Sequence, residues 1–216
     1  MIQNNSSFSW NLFNEAPVVG IVRGLSKEIT LNIAKTLLEA EFYTLEVTMN
    51  TEGALELINE LTKQFPKLNI GAGTVCTLDD CKNAIKAGAQ FIVTPIIDED
   101  VITYCVSENI PVFPGAYTPT EIYKAWSLGA SAVKVFPATQ LGSKYIKDVL
   151  APLNEIKLLP TGGVSKDNIT SFFNAGAVGV GMGSSLLHKE YIATQNFTAL
   201  KEHFVAIKQE IQDYTQ

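Results

Sequence analysis

Short runs of apolar, β-branched residues recur about every twenty to twenty-five positions along this chain. The stretches between them carry apolar residues at three- and four-residue spacing, the pattern of amphipathic helices. The strand-like runs are Val18 to Arg23, Thr44 to Met49, Asn69 to Val75, Phe91 to Pro95, Pro111 to Gly115, Ala132 to Pro137, Lys157 to Gly162 and Val178 to Gly183. Three of the intervening helices run into Ala87-Gly88-Ala89, Leu128-Gly129-Ala130 and Ala175-Gly176-Ala177, where glycine relieves the left-handed conformation that closes a helix. Alternating strand and helix units with short links predict an α/β fold with a parallel sheet. Eight such units close into a (β/α)8 TIM barrel, with an open doubly wound sheet as the competing arrangement.

Two segments fall outside the repeat. Phe8, Trp10, Leu12 and Phe13 precede the first strand and predict a short N-terminal helix that plugs the bottom of the barrel. Phe197, Leu200, Phe204, Ile207 and Ile211 form one helical stripe, the docking face of a C-terminal helix. The expected organisation is one domain over residues 1–216: an extension over 1–16, a barrel over about 17–186 and a helical segment over about 190–216. A length of 216 residues suits this, because α/β barrels of about 200 to 250 residues fold as single domains.

Composition narrows the partners. The chain is 46% hydrophobic and 18% charged, with a net charge of −6 and no cluster of Lys or Arg, so nucleic acid and anionic membranes are poor partners. An anionic metabolite remains open, since backbone dipoles and one or two cations can bind it. There is no basic stretch leading into an apolar one at the N-terminus and no run of eighteen apolar residues, so a soluble, cytoplasmic protein is expected. Cys76, Cys81 and Cys105 form an odd set without CxxC spacing, and His188 and His203 lie far from them, which argues against zinc or a disulfide framework.

The candidate chemistry begins at Lys134, an ammonium inside the apolar run Ala132-Val133-Lys134-Val135-Phe136-Pro137. A buried charge without compensation costs several kcal/mol, so such a lysine is paired, or held partly neutral with a nucleophilic nitrogen. In a barrel strand alternate side chains point inward, which puts Lys134 on one face with Ala132 and Phe136. The same alternation in Thr44-Leu45-Glu46-Val47-Thr48 turns Glu46 inward. A structural ion pair would account for both residues. The functional alternative is an amine that forms a Schiff base with a ketone while a carboxylate shuttles protons, chemistry that needs no metal or other cofactor.

Two glycine-rich strand ends, Thr161-Gly162-Gly163-Val164-Ser165 and Gly181-Met182-Gly183-Ser184-Ser185, fit a phosphate site built from backbone N–H groups and a Ser184 or Ser185 hydroxyl. Arg23 ends the first run, between the eighth and second strands of a closed barrel, and its guanidinium can serve a phosphate or a carboxylate near Glu46; a surface salt bridge is the bland alternative. Thr74 in Gly71-Ala72-Gly73-Thr74-Val75 offers a hydroxyl, and Thr94-Pro95 completes the ring of strand ends.

Leu45-Glu46-Val47-Thr48, Gly71-Ala72-Gly73-Thr74-Val75, Gly88-Ala89-Gln90-Phe91 with Thr94-Pro95, Pro114-Gly115, Lys134-Val135-Phe136-Pro137-Ala138 and Pro160-Thr161-Gly162-Gly163 together resemble the 2-keto-3-deoxy-6-phosphogluconate / 4-hydroxy-2-oxoglutarate (KDPG/KHG) aldolases, from about Pro17 to Leu186. The resemblance implies a metal-free class I aldolase on a (β/α)8 barrel, generally a homotrimer, that releases pyruvate and an aldehyde. It makes Lys134 the Schiff-base lysine and Glu46 the general acid/base. It places Thr74 at the pyruvyl carboxylate, Pro95 and Phe136 in the pocket wall, Thr161 near the substrate hydroxyls, and Gly162, Gly163 and Ser184 at the phosphate, beside Gly183.

One departure stands out. Phosphogluconate enzymes usually carry an arginine four residues after the glutamate, and this chain has Asn50 there. Asn50 and the Arg23-Gly24 ending are similar to the 2-keto-3-deoxy-6-phosphogalactonate branch, whereas Thr161 before the two glycines is not. Tyr117 stands where a smaller residue is common. A phosphosugar isomerase or epimerase on the same barrel is the more distant reading, and a non-catalytic sugar-phosphate binding module a third.

Overall fold

A computed structural model gives the structure of residues 7–215; residues 1–6 of the expected N-terminal extension, and Gln216, lie outside the described residues. Strands and helices alternate as the hydrophobic pattern predicts. The strands are β1 (Val18–Val22), β2 (Thr44–Thr48), β3 (Asn69–Gly73), β4 (Ile92–Val93), β5 (Val112–Phe113), β6 (Gly115–Ala116), β7 (Val133–Val135), β8 (Leu158–Pro160) and β9 (Val180–Met182). The helices are α1 (Trp10–Glu15), α2 (Lys27–Glu39), α3 (Ala54–Gln64), α4 (Leu78–Ala87), α5 (Glu99–Ser107), α6 (Pro119–Ser127), α7 (Gly142–Leu150), α8 (Ile169–Asn174), α9 (Lys189–Ala193) and α10 (Phe197–Glu210). Among the described residues nine strands stand for eight predicted runs because the fifth is split at Pro114, which has no N–H to give to a ladder.

All pairings are parallel. Six strands lie in the order β5-β4-β3-β2-β1-β9 and three in the order β6-β7-β8, with a bridge between Thr161 and Gly181 where β8 ends beside β9. Most strands stop one or two residues short of the predicted runs at their C-terminal ends, so Arg23, Thr74, Pro95 and Gly162 sit on loops rather than in the ladder. Gly88, Gly129 and Gly176 take φ of 109°, 96° and 99° at the ends of α4, α6 and α8, the conformation expected of them.

The strand faces divide as alternation requires. Leu45, Val47, Val133 and Val135 belong to the larger core between strands and helices. Val19, Phe91, Val93, Phe113, Ala132 and Leu159 form a second cluster with Phe8 and Phe13. Phe8 meets Phe91 and Phe113 edge-on at 5.4 and 6.2 Å between ring centres, a favoured aromatic arrangement. Asn69 on β3 clasps the start of α1, accepting from Ser9 N at 2.8 Å and donating to Ser9 O at 3.0 Å. The predicted N-terminal plug is thus a built floor at the N-terminal ends of the strands, and a cavity of about 580 Å³ bordered by Trp10, Phe13 and Tyr214 opens beside it.

α10 buries Leu200, Phe204 and Ile207, with Ile211 just past its end, and Phe204 packs 6.0 Å from Phe42. That is the docking face its stripe predicts. Cys81 on α4 and Cys105 on α5 are buried free thiols 3.4 Å apart, a proximity that their spacing in sequence does not reveal. Among the described residues no group of three or more His, Cys, Asp or Glu is placed to hold a metal ion, and no helix is long and apolar enough to cross a membrane.

Candidate active site

Lys134 occupies the middle of β7. Its N–H donates to Pro114 O at 2.9 Å, and Thr161 N donates to Val135 O at 2.9 Å, so both neighbouring strands fix the backbone that carries the amine. The side chain is 5% exposed and its Nζ lies 4.8 Å from the centre of the Phe136 ring. The Phe136–Pro137 peptide that follows is cis.

Glu46, at the centre of β2, is 2% exposed. Its room comes from Gly73 on β3: a Cβ there would fall on the Glu46 carboxyl. No ion pair within 4.0 Å joins Lys134 to Glu46 among the described residues, so the two do not form the direct structural salt bridge. They interact at longer range. Burial raises the Glu46 pKa while Lys134 and Arg23 pull it down. Burial lowers the Lys134 pKa, Glu46 opposes this, and Arg23 adds to it. Each group is therefore pushed toward its neutral form, the amine toward a nucleophile and the carboxyl toward a proton donor.

Beside Lys134 opens a cavity of about 710 Å³. The structure brings Arg23, Phe136, Thr161, Gly162, Gly163, Gly183 and Ser184 to its walls, from the loops after β1, β7, β8 and β9. Gly162 and Gly163 have φ of 94° and 75°, and a Cβ on Gly163 would come 2.8 Å from Thr139 Cα, so this turn depends on glycine twice over. Thr161 is 4% exposed, in space that a side chain at Gly181 would take. Ser185 Oγ donates to Val164 O at 2.5 Å, which commits that hydroxyl to joining the loops, while the neighbouring Ser184 is exposed at the cavity wall. Beneath, His203 Nε2 on α10 lies 2.8 Å from Ser185 O.

Glu46, Asn50, Thr74 and Pro95 stand outside the lining of this cavity. Asn50 is exposed just past β2, and Pro95 is half-buried with its backbone against Gly115. Thr74 follows β3 with φ of 55°, a left-handed conformation that a β-branched residue rarely adopts and that costs about 1–3 kcal/mol. Tyr117 is 41% exposed and its carbonyl accepts from Tyr145 Oη at 2.6 Å.

Two groups of residues escaped the sequence reading. Thr51 Oγ1 accepts from Gly24 N at 3.0 Å and lies 3.1 Å from Thr48 Oγ1, tying the Arg23 loop to the end of β2; two threonines three residues apart were the only signal. Lys189, Ile192 and Ala193 of α9 also line the cavity, but α9 is five residues long and has too little pattern to be read.

The chain matches the family model described as KDPG and KHG aldolase over residues 10–203. It is 33% identical to the 2-dehydro-3-deoxy-phosphogluconate aldolase of Treponema pallidum (strain Nichols), over 88% of this chain and 91% of that one. It is 34% identical to the 2-dehydro-3-deoxy-6-phosphogalactonate aldolase of Escherichia coli (strain K12), over 79% and 84%. Among solved structures, a KDPG aldolase from Legionella pneumophila, with pyruvate captured at low pH as a covalent carbinolamine intermediate, superposes with a TM-score of 0.84 at 28% identity, covering 91% of this chain and 96% of that one. A buried amine and glycine-rich loops around one cavity, with a buried carboxyl outside its lining, agree with this kinship, and the chain belongs to the KDPG and KHG aldolase family.

Proposed function

We propose that this protein is a class I aldolase, a carbon–carbon lyase that cleaves 2-keto-3-deoxy-6-phosphogluconate to pyruvate and glyceraldehyde 3-phosphate. The observation that carries the reading is the pair Lys134 and Glu46, both buried, both turned from the helix-facing core, and not bonded to each other. Lys134 Nζ attacks the C2 ketone to give a carbinolamine, and loss of water gives an iminium. Glu46 gives its proton to the departing carbinolamine hydroxyl and, now a carboxylate, accepts the proton of the C4 hydroxyl as the C3–C4 bond breaks. The electron pair of that bond enters the iminium and leaves an enamine, while C4 departs as the aldehyde carbon. Protonation at C3 and addition of water at C2 release pyruvate and return the amine.

In this reading Thr74, Asn50 and Arg23 serve the carboxylate end, with Arg23 supplying part of the charge that Asn50 lacks. Pro95 and Phe136 bound the pocket, Thr161 meets the substrate hydroxyls, and Gly162, Gly163, Gly183 and Ser184 receive the phosphate at N–H and O–H donors. The reaction requires no metal or cofactor, because the iminium is the electron sink. 4-Hydroxy-2-oxoglutarate, cleaved to pyruvate and glyoxylate, is compatible with the same C2 chemistry. The scaffold is proposed as one domain, a full (β/α)8 barrel. In support, only Pro114 separates β5 from β6, and the Thr161–Gly181 bridge links the other edges of the two sheets. A cytoplasmic homotrimer follows from the family resemblance, and sedimentation tests the stoichiometry.

Incubation with pyruvate and borohydride tests the chemistry. A reduced adduct mapping to Lys134 is expected, and an adduct elsewhere, or none, removes the class I reading and revives the isomerase or epimerase alternative. A second reading, 2-keto-3-deoxy-6-phosphogalactonate as substrate, is favoured by Asn50 and by the 34% identical relative of that name. Side-by-side kcat/KM values on the two C4 epimers and on 4-hydroxy-2-oxoglutarate rank them.

A further inference from the structure

The cavity beside Lys134 is lined by three basic residues, Arg23, Lys134 and Lys189, and by no Asp or Glu, in a chain whose net charge is −6. Such a concave surface of one sign concentrates ligands of the other. Two of the three have tasks in the proposed chemistry: Lys134 bonds to the ketone, and Arg23 acts on both Lys134 and Glu46. Lys189 has none. It opens α9, and the residues three and four further on, Ile192 and Ala193, line the same cavity, so one face of the helix is turned to it. Among the described residues no carboxylate lies within 4.0 Å of its ammonium. The same walls hold Gly162, Gly163, Gly183 and Ser184.

We propose that Lys189 is a specificity-determining residue for the far end of the substrate, an exposed cation at the cavity wall that pairs with a doubly charged phosphate resting on the Gly162-Gly163 and Gly183-Ser184 loops. This rests on the aldolase reading. The loops supply neutral donors, which hold a phosphate without measuring its charge; the ammonium makes the site prefer a dianion to an uncharged hydroxyl.

The test compares 2-keto-3-deoxy-6-phosphogluconate with 2-keto-3-deoxygluconate, which differs only in the phosphate, on the unaltered enzyme, Lys189→Ala and Lys189→Arg. Lys189→Ala should lower the kcat/KM ratio of phosphorylated to unphosphorylated substrate by roughly two- to fivefold, through KM rather than kcat, as one exposed charge contact implies. Lys189→Arg should restore most of the ratio, and added salt should shrink the difference between enzyme and variant. An unchanged ratio in Lys189→Ala, or an equal loss on both substrates, overturns the assignment. If the unaltered enzyme forms no pyruvate adduct, the aldolase reading fails instead. Calorimetric titration with inorganic phosphate then decides the role of Lys189, since weaker binding to Lys189→Ala supports it and equal binding removes it.

Discussion

His203 on α10 lies with its Nε2 2.8 Å from the carbonyl oxygen of Ser185, eighteen residues earlier in the chain. A carbonyl only accepts, so Nε2 carries the proton and donates. Ser185 passes the restraint on through its hydroxyl to Val164 O, so one relay joins the C-terminal helix to the loops after β9 and β8. His203→Ala should therefore raise KM for the phosphorylated substrate by roughly two- to tenfold, the range of one net hydrogen bond, with kcat little changed. His203→Gln keeps a donor and should recover most of the loss. A fall in kcat alone, or no rescue by glutamine, counts against the relay.

Gly73→Ala places a methyl group where the Glu46 carboxyl now sits. Displacing a reacting group by about an ångström costs on the order of 100-fold, and a drop of that size in kcat is expected. Steady-state kinetics and the melting temperature should be read together: loss of both in proportion would mean a packing defect rather than a displaced acid/base.

Burial and, after it, Arg23 depress the Lys134 pKa, and in the proposed mechanism the free amine is the nucleophile. Activity falls as pH drops through the Lys134 pKa, so Arg23→Ala, which lets that pKa rise, should move the acid limb of the kcat/KM profile to higher pH. KM for pyruvate-containing substrates should also rise. A profile and kinetics unchanged from the parent enzyme dispose of the idea that Arg23 stands in for charge at Asn50.

Lys134 and Glu46 also tax stability. With the Lys134 pKa lowered by burial, the unfolded chain takes up that proton first as pH falls below the ordinary lysine range. With the Glu46 pKa raised by burial, the unfolded chain loses that proton first as pH climbs above the ordinary carboxylate range. Both effects oppose folding at neutral pH. Replacing buried charged groups with apolar ones gains about 1–4 kcal/mol, and each kcal/mol is about 2–4 °C for a chain of this size. The inactive double variant Lys134→Met, Glu46→Leu should therefore melt several degrees higher at neutral pH, by an amount that narrows toward either pH extreme. A lower melting temperature at pH 7 would contradict this.

Much of the scaffold was legible because it obeys local rules. Period-two alternation told that Glu46 and Lys134 leave the helix-facing core that takes Leu45, Val47, Val133 and Val135, and glycine chemistry told where α4, α6 and α8 end. What depends on distant segments was not legible. Pro114 divides a run that reads as one strand, and Ser185 looks as available as Ser184 until its hydroxyl is found bound to Val164. Lys189 and His203 act across space from elements whose own patterns speak only of packing. Local sequence chooses which face a side chain occupies, whereas the partner it meets is chosen by the closure of the fold.

The floor of Phe8, Phe13, Phe91 and Phe113, clasped to α1 through Asn69, lies at the opposite ends of the strands from Arg23, Ser184 and Lys189. Rigidity and selectivity are thereby written in different residues. Under the proposed function, an exchange in the cavity wall, such as at Lys189, would change which substrate is preferred without disturbing the aromatic floor. The floor is what allows the mouth to diverge.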